Sequence, residues 1–268
     1  IDIGGTNTVF GLVDEHGKIH ARGTVPTNHF TDPERYTKAV ATELLRIMPP
    51  TARLAGVGIG APSGNFFSGS IEYAPNMPWK GVIPLAAYFS REMGCRAWLT
   101  NDANAAAMGE MLFGAAKGKK DFIFITLGTG LGSGIVVRGE LVYGHDGMAG
   151  ELGHVTIVRD GRLCGCGKKG CLETYCSATG IVKTYKELKQ ITNGENIDAR
   201  FIFEQAKKKE KEATDAAAPV EGLYKAAEQR WNPDAAGLRR FRRALFLLPD
   251  FDPTRTQNLG ASFCVEFR

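Results

Sequence analysis

One pattern occurs twice in this chain and limits its fold more than any other feature. Residues 1–25 read as a short apolar strand, a Gly/Thr/Asn corner, a second strand from Thr8 to Val13, a tight turn at 15–18 and a third strand. The stretch "DFIFITLGTGLGSGIVVRGELVYG", 121–144, repeats that order: strand, glycine loop, strand, tight turn, strand. In both copies the glycine loop joins two strands of a hairpin, whereas a Walker loop or a dinucleotide fingerprint joins a strand to a helix. No GxxxxGK[ST] occurs, and "GVGIGA" (56–61) fits a GxGxxA pattern only by chance, because Gly and Ala are abundant throughout. Two such loops suit a polyphosphate. Glycine lets the backbone approach closely, so the N–H groups of Gly4, Gly5 and Thr6, and of Gly128, Thr129 and Gly130, can face it. The plain alternative is a pair of ordinary hairpin turns; Asp2 beside one loop and a threonine in each favour phosphate.

Between the meanders, Val40, Leu44, Leu45 and Met48 share one face of a helix expected from Pro33 to Met48, which Pro49-Pro50 stop. A buried strand is expected within 53–64 and a further amphipathic helix over 83–93. "CRAWLTNDANAAAMGEMLFGA" then gives a strand, a polar corner at Asn101-Asp102 and an Ala-rich helix. Asp102 at that helix start reads as an N-cap. The helix dipole there also favours an ionised carboxylate, the form that can accept a proton from a hydroxyl.

The second informative stretch is "HVTIVRDGRLCGCGKKGCLE", His154 to Glu173. Its His154-x9-Cys164-x-Cys166-x4-Cys171 spacing offers one imidazole and three thiolates, a set suited to tetrahedral zinc in a closed site. A Cys164–Cys166 disulfide would strain so short a separation, and Gly165, Gly167 and Gly170 let the backbone curl until the sulfurs converge. Cys95, Cys176 and Cys264 read as ordinary core residues. With four protein ligands no coordination position stays open, so the metal organises its surroundings, and Glu151 and Glu173 flank it. Two carboxylates and an imidazole suit a polyol; the alternative is that both glutamates are solvated surface charges.

The 268 residues and 43% apolar content can build two lobes with real cores. A net charge of +4 is too mild to indicate nucleic acid. No apolar run approaches the roughly 20 residues that span a bilayer, and a soluble, cytoplasmic protein is expected, in which disulfides are disfavoured. Since no Met precedes Ile1, residues are expected to be missing before it. "KKKEKE" (207–212) reads as a solvated helix face, and "GLRRFRRALFLL" (237–248) as a surface helix rather than a membrane-lying one.

"DIGGTN", "GAP", "PNMPW", "NDANAAA", "TLGTGLGSG", "GELGH" and "CGCGKKGCLE", in that order over residues 1 to about 217, resemble the sugar kinases of the ROK family (repressor, open reading frame, kinase), and within it the bacterial glucokinases. The resemblance implies an α/β, two-lobed, actin-like (duplicated ribonuclease-H-like) fold with ATP and sugar in an interlobe cleft. The expected division is residues 1–100 with the first phosphate loop, and 101–268 with the second loop and the zinc knot. By the same resemblance Asp102 is the catalytic base for a C6 hydroxyl attacking the γ-phosphorus of ATP. Asn76, Asn101, Glu151, His154 and Glu173 bind sugar hydroxyls, His154 with one ring nitrogen on zinc and the other on the sugar. Asp2 helps hold Mg²⁺, and Gly4, Gly5, Thr6, Asn7, Gly128, Thr129 and Gly130 surround the phosphates. Trp79 is either a core anchor or a pocket wall, and reads as core.

The implied reaction is glucose to glucose 6-phosphate, by a homodimer. The alternatives are another hexose or an N-acetylhexosamine as substrate, polyphosphate as donor, an inactive sugar binder, or a sugar-sensing regulator of the same family. A regulator needs a helix-turn-helix ahead of the first loop; the sequence as given starts at that loop, and the residues expected before Ile1 leave this alternative open. From about Ala218 the chain departs from the family: no Gly-Gly corner for adenosine is found there, and only "NLGAS" (258–262) is similar to the family's closing helix.

Overall fold

The structure, a computed structural model, describes residues 1–192, 196–230 and 261–266, with backbone alone for 224–230 and 261–266. The chain divides into two compact units: 1–117 with 141–149, and 118–140 with the chain from 150 onwards. The boundary expected after residue 100 falls inside the first unit, because the helix that begins at Asp102 packs on that unit's strands.

In the first unit, β1 (Asp2–Ile3), β2 (Asn7–Val13) and β3 (Ile19–Pro26) form the expected antiparallel meander. Helix α1 (Pro33–Ile47) begins on an Asp32 cap whose carboxylate accepts from Glu34 N and Arg35 N, with Pro33 in the first turn. It ends at Met48, which is held extended by the proline next to it. Strand β4 (Val57–Ala61) runs parallel to β1; the short β5 (Gly64–Asn65), β6 (Ser70–Glu72) and β7 (Val82–Ile83) form a separate small sheet. Helix α2 (Leu85–Met93), β8 (Ala97–Asn101) and α3 (Asp102–Phe113) complete the unit, whose main sheet has the order β3-β2-β1-β4-β8. "GVGIGA" is therefore strand β4 and not a nucleotide loop.

Alternation sorts the layers. Val57, Ile59 and Ala61 face a core shared with Tyr36, Val40 and Leu44 of α1 and with Leu85 and Phe89 of α2. Trp79 lies in this core at 4% exposure, donates from Nε1 to Phe30 O at 3.0 Å and tilts against Tyr36 at 4.7 Å. The buried Thr8 hydroxyl meets Thr27 Oγ1 at 2.8 Å and Tyr36 OH at 2.6 Å. That triad ties the start of β2 to α1.

In the second unit, β9 (Phe122–Leu127), β10 (Leu131–Val137) and β11 (Glu140–Leu141) repeat the meander. An irregular segment holding the cysteines leads to α4 (Glu173–Cys176), α5 (Ala178–Leu188), α6 (Ala199–Lys207) and α7 (Lys211–Arg230). Ile125, Leu127 and Leu131 pack with Ile181, Tyr185, Ile202 and Val220. The last element, β12 (Ala261–Glu266), pairs antiparallel with β9, so Ala261 and Ser262 of "NLGAS" start a strand and not a helix; the hydrogen-bonding edge of β9 takes them up. Residues 258–260 and 237–248 lie outside the described residues.

"KKKEKE" is a corner between helices rather than one solvated face. Lys207 ends α6, Lys209 turns with φ +64°, and Lys211 starts α7. Glu210 turns inward, where it pairs with Lys189 and accepts from Tyr185 OH at 3.3 Å. Among the described residues no helix is long and apolar enough to cross a membrane.

Candidate active site

Strands β1, β4 and β8 are parallel, so their carboxyl ends share one edge, the edge where open α/β sheets place ligands. Beyond those ends lie the loop 4–6 after β1, the turn 62–63 after β4, and Asn101-Asp102 closing β8 and opening α3. The cap of α3 is Asn101 and not Asp102: its Oδ1 accepts from Ala103 N at 2.8 Å and Asn104 N at 3.4 Å. Asp102 occupies the first helical position, with Oδ1 accepting from Ala103 N at 2.8 Å.

Water reaches both Asp2 and Asp102, yet each is flanked by enough protein to raise its pKa above the ordinary carboxylate value. For Asp102 loss of hydration is the leading cause, the Ala103 N–H opposes it, and the Asp2 charge adds to the rise. Desolvation thus outweighs the backbone N–H groups at the helix start, where the dipole was expected to favour the ionised form.

The first glycine loop closes with Gly4 N donating to Asn7 O at 2.9 Å, and Thr6 O accepts from Thr27 N at 2.8 Å. Among the described residues the N–H groups of Gly5 and Thr6 find no acceptor. Two successive N–H groups left over at a loop make an anion-binding feature. Gly5 also lies against the Asn76 backbone carbonyl, where a Cβ would collide. The Asn76 side chain is exposed beside this loop.

In the second unit Gly128 N donates to Gly130 O at 3.0 Å, and among the described residues Thr129 N and Gly130 N find no acceptor. The carbonyls of this loop are held from outside: Ala178 N donates to Gly128 O at 2.9 Å, and Thr179 Oγ1 to Thr129 O at 2.6 Å. Glu173 Oε2 accepts from Leu131 N at 3.0 Å. A groove of about 750 Å³ adjoins the loop, lined by Thr129, Thr179, Val182, Lys183, Lys186 and Ile191 among others.

His154, Cys164, Cys166 and Cys171 present ligand atoms that all lie within 4.8 Å of one another. Cys166 and Cys171 Sγ are 3.7 Å apart, and His154 Nδ1 is 3.5 Å from Cys164 Sγ. A tetrahedral ion with metal–sulfur bonds of about 2.3 Å and a metal–nitrogen bond of about 2.1 Å requires edges of about 3.8 and 3.6 Å; these two pairs match such edges, and one imidazole with three thiols is a donor set that zinc accepts. Of the three glycines expected to curl this segment, Gly167 and Gly170 adopt positive φ (+87° and +75°), and Gly165 does not. Glu151 is exposed one residue before the short 3-10 turn Leu152–His154. The cysteines with described side chains are all free of disulfides; outside the cluster, Cys176 lies in the second unit's core and Cys95 at the margin of the first.

The residues that hold these groups carry no motif of their own in the sequence. Ser133, on the buried side of β10, donates to Gly150 O and accepts from Leu152 N at 3.1 Å, which fixes the turn carrying Glu151 and His154. Arg162 stacks on Tyr175 at 4.7 Å and donates to Thr174 O at 2.8 Å and Thr184 Oγ1 at 2.9 Å, docking the cysteine segment on α4 and α5. An arginine beside an aromatic-bearing helix is too common a pattern to have singled it out. Asp2, Gly4, Gly5, Thr6, Asn7, Asn76, Asn101 and Asp102 thus belong to the first unit; Gly128, Thr129, Gly130, Glu151, His154, Glu173 and the three cysteines belong to the second.

The ROK family model matches residues 1–227 of this chain. The chain belongs to the ROK family. Over 190 residues it is 43% identical to the glucokinase of Streptomyces coelicolor, an alignment covering 70% of this chain and 58% of that protein. It therefore spans less than two thirds of that relative's length. The glucokinase of Thermotoga maritima is 35% identical over 218 residues, covering 77% of this chain and 68% of that one. Among solved structures, a ROK family glucokinase from Streptomyces griseus in complex with glucose and AMPPNP matches with a TM-score of 0.67 and 34% identity, covering 85% of this chain and 78% of that chain. This ROK chain has the actin-like α/β fold of those kinases.

Proposed function

We propose that this ROK protein transfers the γ-phosphoryl group of Mg-ATP to the C6 hydroxyl of a hexose, with glucose as the first substrate. The observation that carries the reading is Asp102: a carboxylate at the start of α3, open to solvent, at the sheet edge that also presents the unpaired N–H groups of Gly5 and Thr6. Likeness to glucokinases, one of them solved with glucose and AMPPNP, supports the choice of sugar and donor.

In this reading the ionised Asp102 accepts the proton of the C6 hydroxyl. Phosphoryl transfer has a loose transition state, so Asp102 orients the nucleophile as much as it activates it. The N–H pairs of the two glycine loops, with Thr6 and Thr129, bind phosphate oxygens; Asn7 closes the first loop; Asp2 holds Mg²⁺ through water. Hexose hydroxyls are assigned to Asn76 and Asn101 of the first unit and to Glu151, His154 and Glu173 of the second. For Asn101 the cap engages Oδ1, which leaves its amide nitrogen for a hydroxyl oxygen.

We assign zinc to His154, Cys164, Cys166 and Cys171. Four protein ligands leave no open position, so zinc supplies a fixed frame rather than an activated water. With Nδ1 on the sulfur side of the ring, His154 keeps Nε2 for a sugar hydroxyl. Thiolates at this cluster suit a reducing, cytoplasmic setting, and a homodimer completes the proposal.

The test is product analysis. Mg-ATP is supplied with glucose, mannose, fructose, N-acetylglucosamine or N-acetylmannosamine, and phosphorus NMR identifies the product. Glucose 6-phosphate as main product is expected; a different hexose phosphate would replace the substrate, and no sugar phosphate from any of them with ATP or polyphosphate would overturn the kinase reading.

A further inference from the structure

Glu173 stands where the cysteine cluster and the second glycine loop meet. Its Oε2 accepts from Leu131 N at 3.0 Å, at the first residue after the loop, while its Oε1 lies 3.4 Å from Cys164 Sγ. The same carboxylate explains a glycine. Gly130 has no positive φ that would require one, yet a Cβ there would collide with Glu173 Oε2. Gly128, two residues earlier, has open space where its Cβ would stand. The loop is pinned from its other end by Ala178 N on Gly128 O and Thr179 Oγ1 on Thr129 O, both from the first residues of α5, which α4 and Glu173 immediately precede. These outside supports of the loop thus all come from the corner 173–179, and Arg162 docks the cysteine segment onto that same corner through Thr174 O and Tyr175.

We infer that Glu173 is a positioning residue for the phosphate-binding loop 128–130, and that through it the His154/Cys164/Cys166/Cys171 cluster sets the geometry of the nucleotide side of the site as well as the sugar side. The inference rests on the proposed kinase reading for its ligand, but the brace itself is a property of this chain. Loss of one carboxylate–amide hydrogen bond sets the scale, roughly ten- to a hundredfold in affinity.

The experiment measures binding of Mg-AMPPNP by calorimetry with no sugar present, together with hydrogen exchange at the Leu131 amide, in the metal-loaded protein. Glu173→Ala is expected to weaken nucleotide binding about tenfold and to speed Leu131 exchange about tenfold or more. Glu173→Gln, which keeps an acceptor for Leu131 N, is expected to restore both in large part. Gly130→Ala is expected to mimic Glu173→Ala from the other side of the contact, while Gly128→Ala leaves Leu131 exchange unchanged. Chelation of the unmodified protein is expected to speed Leu131 exchange and to add little in Glu173→Ala. If Glu173→Ala left sugar-free nucleotide affinity and Leu131 exchange within twofold of the unmodified protein, Glu173 would serve the sugar alone and the inference would fail. Should Glu173→Ala not fold, Glu173→Gln and Gly130→Ala decide on the same readouts. Failure of the kinase reading is a separate result: Leu131 exchange would respond as stated while no nucleotide bound to any variant.

Discussion

The two glycine loops share a sequence pattern and differ in what holds them. The loop 4–6 stands on the apolar core of its unit: it closes on Asn7 O, and the Thr8–Thr27–Tyr36 hydroxyls fasten the strand after it to α1. The loop 128–130 stands on polar contacts from Glu173, Ala178 and Thr179, beside the cluster of His154, Cys164, Cys166 and Cys171. Each leaves two successive N–H groups without an acceptor among the described residues. One backbone device is thus supported once through hydroxyls buried in an apolar core and once through a carboxylate and a helix start beside a His/Cys cluster. If the cluster holds zinc as proposed, metal removal and thiol oxidation are expected to disturb the second support and to leave the first unchanged.

The largest break in that symmetry should come from the cluster. Cys166→Ser is expected to lose zinc, to weaken sugar binding and to lower stability by several kcal/mol. Metal analysis and thermal unfolding measure the loss, and amide exchange at Gly4 should stay unchanged while exchange at Leu131 rises. A variant that kept full activity without metal would remove the frame assigned to zinc. Next in size, Gly5→Ala forces a Cβ against the Asn76 carbonyl and is expected to cost about 1–3 kcal/mol, with zinc content unaltered. Tyr36→Phe deletes a hydroxyl from the buried triad and is expected to cost about 1 kcal/mol, read as a shift in denaturation midpoint. Gly128→Ala meets open space at an ordinary backbone angle, so stability is expected to change by less than about 0.5 kcal/mol, while nucleotide binding weakens because the backbone no longer approaches the phosphates as closely.

The smallest effect concerns Asp102. Its folded pKa lies above the unfolded value, so the folded state keeps a proton that the unfolded chain has already released. The resulting penalty is absent below the unfolded carboxyl pKa of about 3.9 and fully present once pH exceeds the folded value. Asp102→Asn is therefore expected to melt slightly higher than the unmodified protein at neutral pH and identically in acid. The opposite order would mean that the helix N-terminus outweighs desolvation after all.

The twofold meander, helices α1 to α3 and the cysteine spacing were legible because each rests on local pattern: alternation, caps and fixed ligand intervals. The identity of the cap on α3 was not, since Asn101 and Asp102 are both good caps and only the end of β8 decides between them. Reading "KKKEKE" as one helix face missed the turn at Lys209, because Glu210 is drawn inward by Lys189 and Tyr185, which lie far off in sequence. The motif residues were visible one by one. What joins them was hidden for the same reason: Ser133, Arg162 and the double use of Glu173 act through contacts between distant segments.

The most direct measurement of the central claim compares Asp102→Ala with the unmodified protein in single-turnover transfer from Mg-ATP to glucose, with glucose affinity measured in parallel. A fall of roughly 10²–10⁴ in the transfer rate is expected, the range of general base catalysis, with glucose affinity changed only a fewfold. Transfer that persisted within tenfold would contradict the role given to Asp102.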